Sequence, residues 1–230
     1  MGKRVLQGSL ATAGSLLGGL LIGFALGDVV FRLIPGSSID NVNLGHVAIA
    51  AVPALGGCLG GGAAWGLFMG HLAGASGSRR MAVAGMLGFG PITIALALGL
   101  GLAEPLVVES VHGQIPIHRI FTLMFAPAAF LIAGISAWAL GRGLRDGALA
   151  RRLLWQVGLA AGLTFLAANL LMEASGWVVG APRAAERATM LVVLFSGNLA
   201  AALVAGGLLG HVLVSRRSAA PQPERVPAQI

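Results

Sequence analysis

The sequence predicts an all-α polytopic membrane protein, with six transmembrane helices arranged as three tandem parallel helical hairpins in a pseudo-threefold bundle. Three observations carry that prediction. Of 230 residues, 57% are hydrophobic and only 10% charged, and mean hydropathy is +0.88, well outside soluble composition. The few charges leave uncharged runs at 5–27, 41–78, 81–103, 120–141, 153–172 and 188–215. Each run can cross about 30 Å of hydrocarbon at a helical rise of roughly 1.5 Å per residue. The ends of successive runs also look alike.

The spans fall near 9–30, 46–70, 81–103, 119–141, 153–173 and 188–211, forming one domain over 1–217. A transmembrane β-barrel is excluded, because its strands alternate polar and apolar residues in segments of about ten. Here Ile92–Leu98 and Leu199–Leu209 are apolar at almost every position.

Basic residues sort between the two sides. Lys3, Arg4, Arg79, Arg80, Arg142, Arg145, Arg151, Arg152, Arg216, Arg217 and Arg225 make eleven on one side, against Arg32, Arg119, Arg183 and Arg187 on the other. The positive-inside rule puts the eleven, and with them both termini, in the cytoplasm. Fourteen arginines to one lysine fit a GC-rich bacterial genome and hence a plasma membrane. The net charge of +7 therefore reports topology and not nucleic acid, since no soluble segment is long enough to present a basic face. Lys3-Arg4 and Ala25-Leu26-Gly27 also fit a secretory signal, but the apolar stretch exceeds a usual core of roughly 7–15 residues. Residues 218–230, with three prolines and no apolar periodicity, read as a disordered cytoplasmic tail.

The repeat recurs at a spacing of roughly 70–75 residues. Even-numbered helices end in Gly66–His71 (GLFMGH), Ala137–Arg142 (AWALGR) and Gly207–His211 (GLLGH), and an arginine pair follows each. At the other side Asp28, Glu104 and Glu173 each precede a Val-Val pair and a later proline, Pro35, Pro116 or Pro182. Two helices per unit make the repeats parallel, related by an axis along the membrane normal. This plan resembles that of the mitochondrial carriers, although their proline-x-acid-x-x-base motif is absent after every odd helix.

Thirty-six glycines, many four apart, form stripes: Gly14/Gly18, Gly19/Gly23/Gly27, Gly56/Gly60, Gly57/Gly61, Gly62/Gly66/Gly70 and Gly206/Gly210. Lipid supplies no hydrophobic force between helices, so association relies on the close approach that small residues permit. The stripes are expected to pack helices within the monomer. A homo-oligomer, a membrane-protein partner or a smooth pore wall are the alternatives. The lone cysteine, Cys58, can form no internal disulfide.

The polar minority supplies the candidate site. A carboxylate near hydrocarbon is disfavoured unless it meets water or a partner, so Asp28, Glu104 and Glu173, with His46 and His118, are expected at an outer mouth collecting a cation or proton. Arg32 lies one turn after Asp28, and Asn169 one turn before Glu173. Deeper, Thr93, Thr164, Asn169 and Asn198 are the intramembrane polar contacts, with Asn198 the leading substrate ligand.

Haem and other cofactors are not expected. His46 and His71 sit about 37 Å apart on one helix, out in the headgroup zones, and Arg142 replaces histidine at the matching position. No HExxH, GxSxG, CxxC or P-loop pattern occurs, so no enzyme is expected. Two functions remain: a small transporter or channel with an acidic outer mouth, and a non-catalytic subunit packing through its glycine faces.

Overall fold

A computed structural model describes residues 2–33, 44–75, 77–111, 117–175 and 183–219. All long elements among them are helical. α1 (Gly2–Thr12), a π-helical turn (Ala13–Leu17) and α2 (Gly18–Leu33) form the first of six rods. α3 (Leu44–Leu72), α4 (Ser78–Val111), α5 (Ile117–Gly143), α6 (Gly147–Ala174) and α7 (Arg183–Ala219) are the others. Intrinsic propensity does not explain them, for glycine disfavours helix in water. In lipid the backbone has no other donors or acceptors, so the helix, which satisfies its groups internally, is favoured, and it continues through Pro53 and Pro127 although each lacks an N–H to donate.

Among the described residues, five stretches are long and apolar enough to cross a membrane: Gly2–Val30, Val52–Leu72, Arg119–Gly143, Gly147–Ala174 and Phe195–Arg217. Large apolar side chains such as Ile22, Leu87, Leu123, Leu163 and Leu171 are exposed. On a soluble monomer so much apolar surface would be anomalous, whereas it suits contact with a bilayer. The helices outrun several sequence-defined spans. α4 continues past 103 through Glu104-Pro105, α7 begins at Arg183, and the expected tail starts inside α7, its remainder (220–230) lying outside the described residues.

Close contacts give the arrangement. Gly19 meets Gly57 and Gly61, Gly62 meets Gly85, Gly88 meets Ser136, Gly141 meets Ala150, and Gly197 meets Asn169 and Phe165. In each pair of neighbours one residue number rises as the other falls, so successive rods are antiparallel. The first rod also lies antiparallel to the last: Gly8 meets Gly206 and Gly210, and the Ser9 hydroxyl donates to the Leu203 carbonyl at 2.7 Å. Each rod thus touches its chain neighbours, and the first and last close a ring. The π turn divides the first rod's work, because one extra residue re-aims the face beyond it. α1 packs on α7, and α2 packs on α3.

Several glycine stripes are consumed by this packing. A Cβ at Gly8 would stand 2.6 Å from the Gly206 carbonyl oxygen, and one at Gly62 equally close to that of Gly85. Such backbone proximity is what small residues allow between membrane helices. Gly14, Gly18, Gly56 and Gly60 differ, since an added Cβ there meets nothing within 4 Å.

The end of the ring where Arg80, Arg142, Arg152 and Arg216 lie is held by polar ties. Asp146 caps α6 by accepting from the Leu149 amide at 2.9 Å, and its other carboxylate oxygen meets Arg216 Nη2 of α7 at 3.2 Å. Asp146→Ala is expected to cost about 1 kcal/mol, mostly from the lost cap. A thermal shift in detergent, restored in part by Asp146→Asn, checks this.

Candidate functional site

A cavity of about 330 Å³ occupies the middle of the ring, and all six rods contribute to its wall. Thr12, Leu16, Leu17 and Leu21 come from the first rod, Trp65 from α3, and Phe89, Thr93 and Leu96 from α4. α5 adds Phe125, Ala128, Ala129, Ile132, Ala133 and Ser136, and α6 adds Val157 and Ala161. Phe195, Asn198, Ala201, Ala202, Ala205 and Gly206 belong to α7. The size lies at the lower end of the range for small-molecule pockets. Alanines make the space: at Ala128, Ala129, Ala161, Ala201 and Ala205 the wall recedes to Cβ.

Toward the arginine-rich end the cavity is sealed. About one turn beyond its wall on α3, α5 and α6 stand Met69, Leu140 and Leu153, with Met81 on α4 and Leu209 and Leu213 on α7, all fully buried. These large side chains fill the axis that alanines leave open above. Leu21 and Phe195 line the cavity from α2 and α7, yet each is about half exposed.

Polar groups in this wall are few, and most are already engaged. Trp65 Nε1 donates to Thr12 Oγ1 at 2.9 Å, and Thr12 in turn donates to the Gly8 carbonyl at 2.8 Å. The Ser136 hydroxyl reaches the Ile132 carbonyl at 2.6 Å and that of Gly88 at 3.2 Å. Thr93 is the exception: its side chain is 5% exposed, and Oγ1 has no hydrogen-bond partner. A helical threonine ordinarily bonds back to the preceding turn, so an unbonded one in a cavity wall is a group in want of a ligand.

Of the intramembrane polar residues expected from sequence, Thr93 and Asn198 line the cavity. Thr164 is half-buried and outside the wall. Asn169 is buried, donates through Nδ2 to the Phe165 carbonyl at 3.0 Å, and leaves Oδ1 unpartnered.

Asp28 and Glu173 do not border the cavity. Asp28 pairs with Arg32 at 2.8 Å, and both side chains are largely exposed. The Asp28 hydrogen bond first, and its charge second, raise the Arg32 guanidinium above its usual range. Glu173 takes Arg119 of α5 as its partner, with Arg119 Nε at 2.7 Å and Nη2 on the same oxygen. The side chains of Glu104, His46 and His118 lie outside the described residues. Among the described residues no group of three or more His, Cys, Asp or Glu gathers.

Trp65, Thr12 and the Ala129 region escaped sequence reading. One signal existed: Trp65 lies about two turns inside the end of α3, and a tryptophan buried there must find an acceptor for its N–H. Comparison with protein-family models, with curated proteins and with solved structures found no match to this chain.

Proposed function

We propose that this membrane protein is a small, non-enzymatic transporter whose substrate chamber is the central cavity. The observation that carries the reading is the convergence of all six rods on one space of about 330 Å³, sealed at one end by bulky apolar side chains. Sites between bundled helices, framed by structural repeats, are the usual place for a transporter's substrate. In this reading α4 is a sixth span, the rods are three tandem hairpins about a pseudo-threefold axis, and the arginine-rich end faces the cytoplasm of a bacterial plasma membrane. Asp28, Glu104 and Glu173 belong to the outer end. The arginine partners of Asp28 and Glu173 match their charges, which suits a neutral passenger better than a cation.

Reporter fusions after Arg80, Arg152 and Arg217 are expected to read cytoplasmic, and a periplasmic signal from any one breaks the orientation. Alternating access is tested with Ala129→Cys in a Cys58→Ala background, using a membrane-impermeant thiol reagent on vesicles of both orientations. A transporter exposes this position to each face in turn. Labelling from neither face, while denatured protein labels fully, contradicts transport.

The second reading, a subunit that packs against a homo-oligomer or membrane-protein partner, is favoured by Gly56 and Gly60. Both are exposed on α3 with open space beside them. Purification in mild detergent separates the two: obligate co-purification of another chain favours the subunit, and a stable lone species favours the transporter.

A further inference from the structure

We propose that the cavity takes a neutral amphiphile, an apolar chain bearing one hydroxyl or carbonyl oxygen, and that Thr93 Oγ1 hydrogen-bonds that oxygen. This rests on the cavity being the substrate chamber, and it names the class of molecule the chamber selects. Three observations carry it.

First, no charged side chain lines the cavity among the described residues. An ion entering this wall would lose its hydration and gain no counter-charge, so a charged occupant is rejected. Second, apart from Thr12, Thr93, Ser136 and Asn198 the wall is aliphatic and aromatic, matching a hydrocarbon chain. Third, of the two buried polar atoms left without a hydrogen bond among the described residues, Thr93 Oγ1 and Asn169 Oδ1, Thr93 belongs to the cavity wall. The Trp65 N–H and the Thr12 and Ser136 hydroxyls all donate within the protein, whereas the buried hydroxyl of Thr93 has no partner. A buried hydroxyl left unbonded is disfavoured, and an oxygen on the occupant relieves it. A pure hydrocarbon fills the space without relieving it. A carboxylate supplies the oxygen but brings a charge.

Trp65, 2% exposed and in the cavity wall, is a built-in reporter. The experiment uses the full chain in phosphatidylcholine nanodiscs, with W138F, W155F and W177F leaving Trp65 as sole fluorophore. Three quenchers of equal chain length, brominated at the far end, are titrated: bromododecanol, bromododecane and bromododecanoate. A matched protein retaining only Trp155, which is 59% exposed, measures quenching from simple partition into lipid.

Saturable quenching of Trp65 by bromododecanol, beyond the Trp155 signal, is expected, with apparent affinity about five- to tenfold above that of bromododecane, the usual worth of one hydrogen bond. Thr93→Val, nearly isosteric, should remove that advantage, and Thr93→Ser should restore it. Equal binding of the alcohol and the alkane, unmoved by Thr93→Val, overturns the role of Thr93 but leaves the chamber intact. Tightest binding by bromododecanoate overturns neutrality. If no probe quenches Trp65 above the Trp155 baseline, the chamber reading itself fails.

Discussion

Gly57→Leu is expected to open the ring. A Cβ at this position would lie 2.7 Å from the Gly23 Cα and 2.8 Å from its nitrogen, and closer still to the Gly19 carbonyl oxygen. These obstacles are backbone, so no rotamer change relieves them, and α2 must separate from α3. Overpacking of this kind costs about 1–3 kcal/mol even for small additions, and a leucine demands more. The neighbouring glycine supplies the control. Gly56 stands one residue earlier on α3 and faces open space, so Gly56→Leu should be tolerated. Fluorescence-detected size exclusion and thermal stability of the two variants check this pair. Comparable behaviour would mean that α2 does not pack on α3 through this face.

Ala129→Phe is expected to leave the fold standing and abolish occupancy. Ala129 is 7% exposed, lies midway along the α5 wall between Phe125 and Ser136, and borders the space directly. A phenyl ring there occupies room meant for the ligand. Saturable quenching of Trp65 by bromododecanol should fall at least about tenfold, corresponding to roughly 1.4 kcal/mol or more of lost binding. Elution as a single species and a melting temperature near that of the parent should accompany the loss. Binding that survives the filled cavity would place the ligand elsewhere.

The class of protein was legible because hydropathy averages over many residues. A bilayer constrains each apolar stretch alone, so 5–27 or 120–141 can be read as helix without knowing its neighbours. Helix ends were less legible. A charge marks where hydrocarbon stops, not where hydrogen bonding stops, which is why α4 runs on through Glu104 and α7 starts as early as Arg183. The Asp28–Arg32 pair followed from a spacing of one turn, whereas the Arg119–Glu173 pair joins residues 54 apart and needed the packing of α5 on α6.

Glycine spacing illustrates the same limit. Gly57/Gly61 and Gly56/Gly60 have identical spacing on one helix, yet the first pair receives Gly19 and the second receives nothing. Spacing identifies a face that another helix can approach, and the rotation of each helix decides which face is used. The π turn at Ala13–Leu17 alters that rotation within the first rod and has no compositional mark. Thr93 and Asn198 were legible as polar residues deep in apolar runs. That they share a cavity with Trp65 depends on ring closure, which joins residues nearly the whole chain apart.

Ring closure can be tested with one disulfide. A Cβ at Gly207 would lie 2.8 Å from Ser9 Oγ, a separation compatible with a bridge between α1 and α7. Ser9→Cys and Gly207→Cys, combined with Cys58→Ala, should form an intramolecular crosslink under mild oxidation in native membranes. It would be detected as a reducible bond between the first and last helices after a protease cut introduced in the segment 112–116. A closed ring predicts near-complete crosslinking within single chains. Absence of the bond, or its formation only between chains, would contradict the closed ring and with it the cavity on which the proposed function depends.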